Sequence, residues 1–76
     1  MNILLNGQIK GVPEGITVLG LLEILNILHQ RVAVERNDEI VRKDSYGSTR
    51  VMEGDRLEVV SFMQGGCAHA RLEIAN

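Results

Sequence analysis

Aromatic side chains are nearly absent from this chain: Tyr46 and Phe62 are the only two among 76 residues. Leu, Ile and Val must therefore build the core. A single cysteine, Cys67, rules out an intrachain disulfide, and with it a disulfide-stapled secreted domain. A large excess of either charge is also lacking. The formal net charge is −2, and with no basic stripe or stacking platform, nucleic acid is not expected as a main partner. The longest apolar-rich stretch, 16–28, is broken by Thr17, Gly20, Glu23 and Asn26 and is too short to span a bilayer, so no membrane partner is expected. The N-terminus has no basic region followed by an apolar run, which makes a cytoplasmic location the default. The length fits one domain with a small core, which must be well packed to be stable.

What is present is a regular alternation of strand and turn signals. Residues 1–5 read as a strand, and 8–12 as its return. Between them Asn6-Gly7, two residues that tolerate positive φ, signals a type I′ hairpin. Pro13-Glu14-Gly15 ends the second strand. Thr17 is a good helix N-cap. Val18, Leu21, Leu22, Leu25 and Leu28 recur with helical spacing and predict a helix over 18–29, with Ile27 off the core face and Ile24 at its flank. Gly20 costs that helix ~1 kcal/mol relative to alanine, so a close neighbour or a docking surface is needed to explain it. Strands are predicted at 32–36, 40–42 and 56–63, with turns at Asn37-Asp38 and Glu53-Gly54-Asp55. Residues 43–49 are polar and irregular, with Tyr46 expected to pin them to the body.

A hairpin, a crossing helix and further strands imply an α+β fold, a mixed sheet of four to five strands packed on one helix. This is the β-grasp arrangement that ubiquitin also uses, in which the first and last strands lie parallel at the centre of the sheet.

Alternation along the last strand puts Leu57, Val59, Ser61 and Met63 on the helix side and Glu58, Val60, Phe62 and Gln64 on the other. Val60 and Phe62 are thus candidates for a partner-docking patch on the open face. The competing reading is that sheet curvature or the 43–49 loop covers them. Gly65-Gly66 follows at once. Without Cβ atoms such a pair can enter a narrow channel or approach a catalytic centre closely, although a plain linker has the same composition.

The order and spacing of these pieces resemble the ThiS family of sulfur carriers of thiamine biosynthesis. The resemblance rests on Asn6-Gly7, on Thr17-Val18 with Leu21, Leu22 and Leu25, on the run 34–41, and on Gly54-Asp55 followed by Leu57, Val59, Phe62 and Gly65-Gly66. It divides the chain into a carrier-like domain, 1–66, and a flexible extension, 67–76. It implies that Gly66 is the site of adenylation and thiocarboxylate formation, with Gly65 and Gly66 forming a flexible arm for a partner's active site. The implied partners are a ThiF-like adenylating enzyme that uses ATP, a sulfur donor such as a cysteine desulfurase or rhodanese, and thiazole synthase as acceptor. The carrier binds no cofactor or metal of its own and is not an enzyme. Another acceptor (molybdopterin, a cysteine precursor or a secondary metabolite), a protein modifier, and a non-catalytic interaction module are the alternatives.

One departure matters. Family carriers act with glycine as the last residue, whereas ten residues follow Gly66 here, and an internal glycine has no free carboxylate. Either a peptidase, such as a processing metallopeptidase, removes 67–76, or the tail is foreign to the natural gene, or the carrier role is lost. Cys67 is read as a thiol beside the cleavage site or as an ordinary tail cysteine. Together with His69 it offers too few ligands for a closed metal site. Residues 70–74 are expected to be disordered rather than to add an edge strand. His29 is expected at the helix end, and the scattered carboxylates at the surface.

Overall fold

The structure, a computed structural model, describes residues 1–62 and 69–71, with side chains through residue 61. Among these residues, strands β1 (Asn2–Leu5), β2 (Gln8–Gly11), β3 (Val32–Arg36), β4 (Glu39–Val41), β5 (Arg56–Phe62) and β6 (His69–Arg71) form one sheet, and helix α1 (Val18–Ile24) packs on one of its faces. The sheet order is β2-β1-β5-β3-β4, with β6 also paired to β5. The central pair, β1 and β5, is parallel through Leu4–Arg56 and Leu5–Leu57, and the other pairings are antiparallel. The chain therefore has the expected mixed sheet with its first and fifth strands at the centre.

Two turns follow directly from residues that tolerate the left-handed region. Asn6 (φ 49°) and Gly7 (φ 83°) join β1 to β2, and Asn37 (φ 52°) and Asp38 (φ 70°) join β3 to β4. Alternation then sorts the strand residues by face. Ile3, Leu5, Val32, Val34, Leu57 and Val59 are buried beneath α1, which contributes Val18, Leu21 and Leu22. Tyr46 is also buried, and its hydroxyl donates to the Val32 carbonyl at 3.4 Å, pinning the 43–49 segment as expected. That segment lies on the helix side: Val18 N–H donates to the Thr49 carbonyl and Leu19 N–H to that of Tyr46.

The helix begins where Thr17 caps it, its hydroxyl accepting from Gly20 N–H at 3.1 Å. A methyl at Gly20 would lie 3.0 Å from the Ile16 side chain, so a larger residue here requires that side chain to give way by a few tenths of an ångström. The helix ends well short of His29. Asn26 takes a left-handed φ of 59°, its N–H donates to the Glu23 carbonyl, and Ile27 N–H donates to that of Leu22. These are the paired bonds of a Schellman turn, here with asparagine in the glycine position. The reversal inverts the expected apolar face. Ile27 packs against the core, Leu28 is 61% exposed, and His29 begins a separate 3₁₀ turn, His29–Arg31. Strand ends differ from expectation by one residue at β1, β2 and β4, and residue 63, expected to end β5, lies outside the described residues.

Two polar side chains hold β5 in place. Asn6 points its amide along the β5 edge, accepting from Val59 N–H at 2.8 Å and donating to the Val59 carbonyl at 3.2 Å. The backbone ladder of β1 ends as Asn6 N–H donates to the Leu57 carbonyl, and the side chain supplies the next rung. Asp55, at the start of β5, is 6% exposed and accepts from Arg36 Nε (2.7 Å), Asn37 Nδ2 (3.1 Å) and Met52 N–H (2.8 Å). Burial works to raise its carboxyl pKa. The hydrogen bonds from Met52, Arg36 and Asn37, with the Arg36 charge, outweigh that and hold it below its ordinary value.

Asn6→Gly keeps the positive φ but removes the extra rung, leaving both Val59 groups unpaired. It should cost roughly 1–3 kcal/mol in urea unfolding, and an unchanged midpoint would contradict the role given to Asn6. Because the Asp55 pKa is depressed on folding, its contribution is present above the unfolded value and is lost as pH falls through the folded one. Asp55→Asn should therefore lower stability at neutral pH by roughly 2–3 kcal/mol. It should also flatten the decline of stability below about pH 4, as followed by urea titrations across pH.

Candidate functional site

Everything the sequence singles out as functional lies on β5 or just beyond it, so the geometry of that strand decides what the site can do. Leu57 and Val59 are fully buried and anchor it to the core. One edge is held by β3 over five residue pairs, from Arg36–Leu57 to Val32–Ser61. The other edge is held by β1 for only two pairs, then by the Asn6 side chain. The strand therefore continues past the β1–β2 turn, still paired to β3 as far as Ser61. The glycine pair begins three residues after its last residue, Phe62. Gly65 and Gly66 themselves, Cys67 and the side chain of Phe62 lie outside the described residues.

Val60 is half-buried on the face away from the helix, opposite Ala33 of β3 and in register with Arg71 of β6. The 43–49 segment does not cover it, because that segment packs against α1. Around Val60 the open face is only partly apolar. Ile9 and Ile40, on the outer strands, are 73% and 74% exposed, and Leu4 lies between Ile9 and Arg56. Glu35 and Glu58 face each other across β3 and β5. The partly apolar open face is thus broader than the Val60–Phe62 pair. The alternation that finds Val60 on β5 also finds Leu4 and Ile9, once pairing sets those strands side by side.

Asn6 and Asp55 are the residues that sequence reading missed. Asn6 was legible as a turn former, but nothing in a hairpin signal reveals that its amide reaches Val59. Asp55 follows a turn glycine and looks like surface, and only the return of the β3–β4 turn beside it shows its three donors. No group of three or more His, Cys, Asp or Glu suited to a metal occurs among the described residues. No helix among them is long and apolar enough to cross a membrane.

The extension departs from expectation in one respect: His69–Arg71 forms a strand paired to Val60, Ser61 and Phe62. The physical reason lies in β1, which stops before this part of β5 and leaves backbone groups there open to a further strand.

Comparison with known proteins bears on this geometry. The ThiS family model matches residues 3–66. The chain is similar to a thiazole synthase of Paramagnetospirillum magneticum, 43% identical over 70 residues, which cover 92% of this chain but 22% of that protein. It thus spans about a fifth of the length of the thiazole synthases it matches. It is 35% identical over 63 residues to the sulfur carrier protein ThiS of Bacillus subtilis, covering 82% of this chain and 96% of that one. The crystal structure of the thiamine biosynthesis protein (ThiS) of Geobacter metallireducens superposes with a TM-score of 0.77 at 35% identity, over 87% of this chain and all of that one. With a family model spanning most of its length and a β-grasp neighbour of the same kind, the chain belongs to the ThiS family.

Proposed function

We propose that this chain is a sulfur carrier of thiamine biosynthesis whose working group is the carboxylate of Gly66. The observation that carries the reading is that the family match ends on Gly66, four residues after the last residue of β5. The carrier contributes no acid, base or metal. It presents a carboxyl group, and its sheet gives recognition.

The chemistry has three steps. Hydrolysis of the Gly66–Cys67 amide, by a processing metallopeptidase or another peptidase, gives a free carboxylate on Gly66 and a free amine on Cys67. A ThiF-like enzyme then transfers AMP from ATP to that carboxylate, releasing pyrophosphate and making the carbonyl carbon electrophilic. Hydrosulfide attacks the carbon and expels AMP, leaving a thiocarboxylate. A persulfide delivered by a cysteine desulfurase or rhodanese instead expels AMP to give an acyl disulfide, which a thiol cleaves, releasing the thiocarboxylate and forming a disulfide with the donor cysteine. The reaction runs in the cytoplasm. Thiazole synthase is favoured as the acceptor over molybdopterin or a cysteine precursor by the names of the relatives matched. The match to the first of them, 70 residues, is longer than the 66 that end at Gly66, so it runs into the extension. That favours a natural extension over a foreign one.

Incubating the chain ending at Gly66 with a ThiF-like enzyme, ATP and sulfide should raise its intact mass by about 16 Da, one sulfur for one oxygen. A mass that stays unchanged, with no adenylate trapped, contradicts the carrier reading. Val60 and Phe62 are proposed as part of the docking surface. Val60→Asp in the same chain should lower kcat/KM for activation by at least about tenfold while a cooperative unfolding transition is retained. Equal activation of the two proteins removes Val60 from that surface.

A further inference from the structure

The outer edge of β5 is covered in three successive ways. At Leu57 the partner is the backbone of β1, through Asn6 N–H. At Val59 it is the Asn6 amide, which pairs with both backbone groups. Backbone groups on one edge of a strand recur every second residue, so the next pair on this edge belongs to Ser61. There the partner in register is Ala70 of β6. The opposite edge of β5 is paired with β3 from Leu57 to Ser61, where Val60 lies opposite Ala33. With 69–71 removed, Ser61 is the point where β5 has an open edge, and an open strand edge is a template for another strand.

We infer that this edge of β5, beyond Val59, is a strand-docking site, and that its occupant in the intact chain is the chain's own segment His69–Arg71, laid antiparallel. The extension is then not an inert tail but an edge cover. Phe62 and His69 lie opposite each other at the end of this pairing. A partner that reads the β5 edge meets this site only after 69–71 has left. The inference concerns the folded chain by itself and stands whether or not Gly66 carries sulfur.

Hydrogen exchange of individual amides by NMR tests it in three proteins: the intact chain, the chain ending at Gly66, and the intact chain with Ala70→Pro, which removes the N–H of the residue facing Ser61. The Ser61 amide should exchange at least about tenfold faster in the second and third than in the first. Val59, held by Asn6, and Val60, held by β3, should keep their protection in all three, which shows that the fold is intact. Equal Ser61 exchange in the three proteins overturns the inference. So does Ser61 protection in the intact chain that disappears on dilution, because the strand would then come from a second copy. Protection independent of concentration supports the cis arrangement.

Discussion

A central strand must have both edges satisfied, and in this fold that requirement falls on β5. Its β3 edge is simple, an antiparallel ladder over five residue pairs. Its other edge is not, because β1 reaches only the first two residues before turning into the hairpin. An unpaired buried backbone group costs about as much as the hydrogen bonds that stabilise its neighbours, so the gap at Val59 has to be filled. Asn6 fills it while also serving as a turn residue at positive φ. At the other end Asp55 ties the start of β5 to the β3–β4 turn through Arg36 and Asn37. With both ends fixed, Leu57 and Val59 reach complete burial.

The seating of β5 is the link from the fold to the proposed function. A carrier with no catalytic groups of its own can contribute position and recognition. In the proposed function position comes from β5, paired on both edges through Val59, and recognition from the face opposite the helix, where Leu4, Ile9, Val60 and Ile40 are spread among Arg56, Glu35 and Glu58. Such a mixed surface suits a partner that must bind, react and release, since scattered apolar contacts with charged surroundings give specificity without the burial typical of permanent interfaces.

Much of this was legible in the residues alone. Asn6-Gly7 and Asn37-Asp38 announce their turns because few residue pairs accept positive φ twice in succession, and strand alternation located Leu57 and Val59 in the core. The helix was overextended because Leu25 and Leu28 keep helical spacing past the stop. The informative residue was Asn26, whose capacity for a left-handed conformation outweighs the apolar periodicity around it. The amide bridge of Asn6 and the three donors around Asp55 were hidden because each joins residues far apart in sequence. The β6 strand was hidden for a related reason: three ordinary residues near a chain end pair only because β1 leaves an edge vacant, and that vacancy exists in the folded sheet alone.

The account turns on the claim that the glycine pair works only as a chain end. ATP–pyrophosphate exchange catalysed by a ThiF-like enzyme measures the first chemical step without any need for sulfur. The chain ending at Gly66 should support exchange, and the intact 76-residue chain should not, because its Gly66 carbonyl is an amide. Equal exchange with both would contradict the account, since activation would then occur at a group other than the Gly66 carboxylate.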